Sequence, residues 1–98
     1  MIKYRKLSEI VPLDYNPRTI TDFALQQLAE SIKANPDYFE ARPIILSNRT
    51  GQNVILAGNK RFEAAELLGL DEVPTFLIEG LTEEREREIV IRDNVNNG

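Results

Sequence analysis

The sequence predicts a small α/β (α+β) domain with helices packed on one mixed sheet, in the order β-α-β-β-α-β-α. Three observations carry this. The runs "PIIL", "NVILA" and "VPTFLIE" are short, continuously apolar or β-branched and bounded by turn residues, as buried strands are. Between and around them lie longer stretches with apolar residues at helical spacing. The two kinds of segment alternate along the chain, which places the helices against the sheet. At 98 residues and 42% apolar content, the chain is long enough for one small domain with one core.

In "IKYRKL", Ile2 and Tyr4 alternate with Lys3 and Arg5, which predicts a half-buried first strand. "DYNPRTITD" is a loop, because Pro17 disfavours a helical Asn16, and Thr19 or Thr21 can cap the next helix. In that helix, from Asp22 to Ala34, Leu25, Leu28 and Ile32 share one stripe, and Asn35-Pro36 stops it. "PIIL" and "NVILA" predict a hairpin buried on both faces, joined by the turn "SNRTGQ" with Gly51. Pro43 stands at its entrance, where a strand tolerates proline. Gly58 ends the second strand. A helix from Asn59 to Leu68 turns Phe62, Ala65 and Leu68 inward, and Gly69 closes it. "VPTFLIE" is the next strand, and the strand–helix–strand unit predicts a right-handed parallel crossover. Thr82 caps a last helix, "EEREREIVIRDN", whose first turn holds Glu83 and Glu84, where negative charge is favoured. Met1 reads as a natural start and Gly98 as a truncation point, so the expectation is one domain, 1–98, taken from a longer chain.

The net charge of −4 and pI near 4.8 argue against a non-specific polyanion binder. A local basic site stays open, because screening limits distant charges to about 8–10 Å. The chain has no cysteine and no histidine. That excludes a disulfide framework, a Cys or His zinc site, a Ser-His-Asp triad and thiol chemistry. No run of about 18 apolar residues spans a membrane, and "MIKYRKLSEI" lacks the apolar stretch of a signal peptide. The cytoplasm is the expected compartment.

The sharpest local anomaly is Gly58-Asn59-Lys60-Arg61. It puts two cations at the start of a helix, where the backbone already carries partial positive charge. The free N–H groups of a first helical turn make a ready anion site. Gly58 allows close approach, Asn59 can donate or accept, and Arg61 can grip phosphate bidentately. The pattern fits a phosphate cradle or, alternatively, a strand-to-helix turn with two solvated cations. It matches neither GxxxxGK[ST] nor GxGxxG. Arg18 comes after a rigid Asn16-Pro17 turn, either as a positioned ligand or as an ordinary surface arginine. Near the last helix's end, Asp93 opposes the helix dipole and so calls for a partner. Asp93 and Asn94 offer oxygens suited to Mg²⁺ bound together with phosphate; alternatively Arg92 or water screens Asp93. The run "EEREREIVIR" reads as a solvated face, with Glu84 and Glu88 a like-charged pair offset by Arg85 and Arg87. Tyr4, Tyr15, Tyr38 and the phenylalanines read as core or rim, since no aromatic cluster marks a single-strand binding face.

Taken together, "LSEIVPLDYNPR", a helix, "RPIIL", "VILAGNKRFEAAELLGLDEVPTFLI" and "RDN" resemble the N-terminal domain of the ParB family, the ParB/sulfiredoxin fold. They do so in the same order and over nearly the whole chain. The most specific part is an apolar strand, G-x-[KR]-R, an alanine-rich helix, a glycine, and V-P opening the next strand. Partition ParB proteins carry G-E-R-R there, a proline–arginine motif upstream and a Glu-Asn motif in a later helix. That group binds CTP with Mg²⁺ and uses the change of state to clamp on DNA. The resemblance implies that Gly58, Asn59, Lys60 and Arg61 hold phosphates and that Arg18 meets them from the opposite loop. It implies Asn94 as the metal-binding asparagine, and Asp93 in the place of the glutamate tied to hydrolysis, hence as the catalytic candidate. Asn59 replaces the glutamate of G-E-R-R, Asp93 is one methylene shorter than the family's acid, and "NVNN" lacks the glutamine and arginine that often come next. The sulfiredoxin reaction needs a cysteine in this loop, and none is present. The "GNKR…DN" variant looks more like ParB-like domains of phage and mobile elements, which often precede a DNA methyltransferase or are described as ParB-like nucleases. The helix-turn-helix of partition ParB has no counterpart in these residues.

Three functions are therefore expected, in order of preference. The first is a nucleotide-binding regulatory module of a DNA-transacting protein, with CTP and Mg²⁺ as ligands and DNA as partner of the full-length protein. The second is a metal-dependent nuclease or phosphotransferase, although no carboxylate pair is placed for two-metal chemistry. The third is a docking domain that orients a fused methyltransferase. Enzymatic activity, if present, is hydrolysis of the nucleotide or of DNA. Members of the family often dimerise, so a homodimer is expected too.

Overall fold

The computed structural model describes residues 2–12 and 22–97, with side chains for all of these except 22 and 94–97. The segment expected as a loop, with Asn16, Pro17, Arg18, Thr19 and Thr21, lies outside the described residues. In chain order the elements are β1 (Ile2–Lys6), a 3-10 turn (Leu7–Glu9), β2 (Ile10–Val11), α1 (Asp22–Ala34), α2 (Pro36–Ala41), β3 (Ile44–Ser47), β4 (Asn53–Ala57), α3 (Asn59–Leu68), β5 (Glu72–Ile78) and α4 (Glu83–Asn97). The α/β expectation holds, with three short elements added, the 3-10 turn, β2 and α2. Pro36 does not simply stop α1: α1 ends at Ala34, and Pro36 opens α2, a position that needs no N–H. The two-residue β2 is too short to leave a periodic signal.

The five strands form one mixed sheet in the order β1-β5-β3-β4-β2. β3 and β4 are the expected antiparallel hairpin, with Leu46 opposite Ile55. The turn between them closes through the Gly51 N–H, which donates to the Asn48 carbonyl (3.0 Å). The expected parallel crossover from β4 to β5 is not what forms. β5 lies beside β3 and parallel to it, so β4 and β5 run in opposite directions. The outer edge of β4 is already taken by β2, where Ile10 pairs with Asn53 and Val11 with Val54. α3 therefore carries the chain back across the hairpin to the free flank of β3. β1 then pairs antiparallel with β5, Ile2 opposite Phe76.

The central strands are buried on both faces, as their unbroken apolar runs require: consecutive residues, which point to opposite faces, are buried at Leu46–Ser47, Ile55–Leu56 and Val73–Pro74. Each aliphatic side chain so buried contributes about 1.5–3 kcal/mol. α1 supplies Ala29 and Ile32 to this core, with Leu25 and Leu28 packed against it, and α3 supplies Phe62, Ala64 and Ala65. Gly69 closes α3 with a left-handed backbone (φ 72°), while the Leu70 N–H donates to the Ala65 carbonyl (3.1 Å). Thr82 caps α4 as expected, its hydroxyl accepting the Arg85 N–H at 3.2 Å.

Two expectations on burial need correction. β1 is not half-buried through Ile2 and Tyr4, which are both exposed; its most covered residue is Arg5. The Arg5 guanidinium donates to the Thr75 hydroxyl (2.6 Å), which donates in turn to the Lys3 carbonyl (2.6 Å). A polar partner on β5 thus reverses the facing that apolar alternation suggests. Nor is "EEREREIVIR" wholly a solvated face. Arg87 pairs with Glu83 (2.8 Å), and Glu88 sits between Arg85 (2.9 Å) and Arg92 (3.3 Å), all exposed. Glu86, however, turns toward the sheet and accepts hydrogen bonds from the Ser47 hydroxyl and from Arg49 Nε (2.8 Å). Among the described residues, no helix is long and apolar enough to cross a membrane.

Candidate functional site

β4 runs directly into Gly58, whose left-handed backbone (φ 104°, ψ 21°) starts α3. The Gly58 carbonyl accepts the Phe62 N–H at 2.9 Å, closing the first turn. A Cβ at this position would stand 3.2 Å from Ile44 Cγ1 and 3.3 Å from Ile44 Cα. Glycine is therefore required by the packing of the α3 mouth against β3, before any ligand is considered. The first turn of α3 holds no acidic residue, whereas that of α4 holds Glu83, Glu84 and Glu86. One helix start is compensated by carboxylates in the usual way, and the other is loaded with cations.

Asn59, Lys60 and Arg61 are all half-buried. Burial pushes the Arg61 guanidinium below its ordinary range; the Asp93 carboxylate opposes this and the Arg42 guanidinium adds to it, with Tyr38 a further, favourable neighbour. Arginine stays charged through such shifts, so Arg61 is a partly desolvated cation facing one anion and one like charge. Asp93 is half-buried on α4. Its position near the helix end, unfavourable by itself, is matched by a cation from another element.

The structure therefore brings Gly58, Asn59, Lys60 and Arg61 together by chain continuity, and sets Asp93 within electrostatic reach of Arg61. Arg18 lies outside the described residues, and so does the Asn94 side chain. Arg42 and Tyr38 are the neighbours that sequence reasoning did not single out. The signal was the dipeptide Arg42-Pro43, in which proline fixes the backbone beside an arginine just as Asn16-Pro17 does beside Arg18. Among the described residues, no group of three acidic side chains converges on a metal position.

Fold and site together define a small mixed-sheet domain whose cations gather where α3 leaves the sheet. A family model for the ParB N-terminal domain matches residues 2–95, and the chain belongs to that family. It is 36% identical over 86 residues to the ParB-like nuclease domain-containing protein YnaK of Escherichia coli K12, covering 88% of this chain and 92% of YnaK. It is 36% identical over 91 residues to stage 0 sporulation protein J of Bacillus subtilis, where the match covers 92% of this chain but 31% of the relative. The chain thus spans nearly all of the first relative and about a third of the second.

Among solved structures, C-terminally truncated chromosome-partitioning protein ParB of Caulobacter crescentus, complexed with CTP-γ-S, superposes with a TM-score of 0.80. The identity is 25%, over 100% of this chain and 54% of that one. The same protein on its centromeric parS site gives 0.78 at 25% identity, over 98% and 48% of the two chains. Sulfiredoxin of Arabidopsis thaliana shares the fold, with a TM-score of 0.73 at 24% identity over 92% and 97% of the two chains.

Proposed function

We propose that this domain binds a nucleoside triphosphate, CTP in the first instance, and serves as the nucleotide-responsive part of a protein that acts on DNA. The observation that supports this most directly is the loading of cations onto the α3 mouth of a ParB N-terminal domain. The related Caulobacter protein, whose solved structure matches this whole chain, was complexed with CTP-γ-S. In this reading the backbone N–H groups of the first turn and the side chains of Lys60 and Arg61 hold phosphate oxygens. The family resemblance adds Arg18 as a further phosphate ligand. The acidic and amide groups of Asp93 and Asn94 are the ones that would hold Mg²⁺. No acidic cage is needed, since Mg²⁺ carried by a nucleotide takes only one or two protein oxygens and neutralises phosphate charge. Asp93 then has a second task, to hold Arg61 in place until phosphate competes for it. DNA is proposed as the partner of a full-length protein, on the precedent of ParB with its parS site.

Calorimetric titration with CTP, ATP and GTP in the presence of Mg²⁺ tests this reading. The wild-type chain is expected to bind at least one of them. Lys60→Ala and Arg61→Ala are expected to abolish the heat while melting as cooperatively as the parent. No heat with any nucleotide would sink the proposal.

A second reading, DNA cleavage, is favoured by one observation, the likeness to a ParB-like nuclease domain over nearly the full length of YnaK. Its weakness is chemical. Two-metal hydrolysis needs carboxylates that hold two ions about 4 Å apart, and among the described residues no acidic cluster forms.

A further inference from the structure

We propose that Arg42, held over the ring of Tyr38 at the end of α2, is a further phosphate-gripping cation of the same site, beside Lys60, Arg61 and the proposed Arg18, and sets its preference for a triphosphate over a monophosphate. This rests on the nucleotide reading of the α3 mouth.

The placement is built into the backbone. The Arg42 N–H donates to the carbonyls of Tyr38 (3.1 Å) and Phe39 (3.0 Å), which fixes the turn out of α2. Pro43 comes next and locks the entry into β3. One residue on, Ile44 is the residue against which Gly58 packs, its Cα 3.3 Å from where a Gly58 Cβ would be. The α2–β3 junction is therefore the wall that faces the first turn of α3. From that wall the Arg42 guanidinium lies 5.5 Å from the centroid of the Tyr38 ring, and its charge is felt at Arg61.

Arg42 also lacks what the other exposed arginines have. Arg49, Arg85, Arg87 and Arg92 each have a glutamate oxygen between 2.8 and 3.3 Å away. Among the described residues, no carboxylate stands within ion-pair distance of Arg42. Its ring contact is a weak, reversible restraint, and its planar fork suits phosphate oxygens. With Asp93 offsetting one positive charge, Lys60, Arg61 and the proposed Arg18 leave a surplus that matches the roughly two negative charges of a single phosphate. Each further phosphoryl group brings more negative charge, and Arg42 is the cation placed to meet it from the opposite wall.

Calorimetry with CTP, CDP and CMP in Mg²⁺, on wild type, Arg42→Ala and Arg42→Lys, tests this. Loss of one charge-assisted bidentate contact lowers affinity about tenfold. That loss is expected for CTP with Arg42→Ala, while CMP affinity changes by less than about twofold. Arg42→Lys, which keeps the charge and loses the fork, should fall between. Thermal melting establishes that both variants fold. If wild type binds CTP and Arg42→Ala loses nothing, or loses CTP and CMP affinity equally, the role of Arg42 is overturned and the nucleotide site stands. If wild type binds none of the three, cytosine is not the site's base and the Arg42 proposal falls with it; if ATP and GTP give no heat either, the site reading itself has failed.

Discussion

Gly58 and Gly69 sit at the two ends of α3 with the same left-handed backbone, at φ 104° and 72°. Their surroundings differ. A Cβ at Gly69 would meet nothing within 4 Å, whereas one at Gly58 would press on both the backbone and the side chain of Ile44. Gly69→Ala is therefore expected to cost only the left-handed strain, about 1–2 kcal/mol. Gly58→Ala adds overpacking to that strain and should cost about 2–4 kcal/mol. Urea denaturation of the two variants checks the order, and equal midpoints would show that β3 yields to the added methyl. The closing role of Gly69 was legible in the sequence because a helix end is a local event. The packing role of Gly58 was not, because Ile44 is distant in sequence and only the hairpin register sets it against Gly58. The same division applies to the charged residues. Lys60 and Arg61 stood out because they violate a local electrostatic rule. Arg42 violates none, and only the folded chain sets it beside Arg61.

At the scale of elements, α4 shows what periodicity omits. Its sequence alternates acids and bases so evenly that Glu83, Glu84, Glu86 and Glu88 look equivalent. Docking on the sheet separates them: the Glu86 side chain is 13% exposed and that of Glu88 46%. Glu86 joins the helix to the end of β3 through Ser47 and Arg49. Glu86→Ala leaves a buried hydroxyl and a cation without their acceptor, and should destabilise by about 1.5–3 kcal/mol. Glu88→Ala removes only exposed pairs and should stay within about 1 kcal/mol. Chemical denaturation monitored by circular dichroism separates the two; a Glu86→Ala loss as small as that of Glu88→Ala would mean that apolar packing alone seats α4. Asp93 lies seven residues beyond Glu86, two helical turns along the same face, so the contact that seats α4 also sets where Asp93 meets Arg61. The hairpin and α3 were legible for the opposite reason, since their apolar patterns face one core. The placement of β5 was not, because the outer edge of β4 is occupied by β2, a two-residue strand with no periodic signal.

For the molecule as a whole, the balance of charge decides between the two chemistries. The net charge is −4, so a polyanion approaching from a distance is repelled. A nucleotide at the α3 mouth responds instead to charges within the screening distance of about 8 Å at physiological ionic strength. Non-specific DNA binding draws almost all its strength from long rows of phosphate contacts with Lys and Arg, whereas here Arg49, Arg85, Arg87 and Arg92 are each paired with a glutamate, Glu88 serving both Arg85 and Arg92. The 98-residue chain, mixed with supercoiled plasmid and Mg²⁺ or Mn²⁺ at physiological salt, is accordingly expected neither to retard the DNA on a gel nor to nick it, under conditions in which it binds nucleotide. Retardation that fades steeply with added salt would reveal a basic surface beyond the residues described, and would leave the nucleotide reading intact. Nicking that disappears in Asp93→Ala would favour the nuclease reading, because Asp93 is the acid that the fold sets beside the cations of α3. Nicking that survives Asp93→Ala would place the cleaving acid elsewhere and leave Asp93 to the nucleotide chemistry alone.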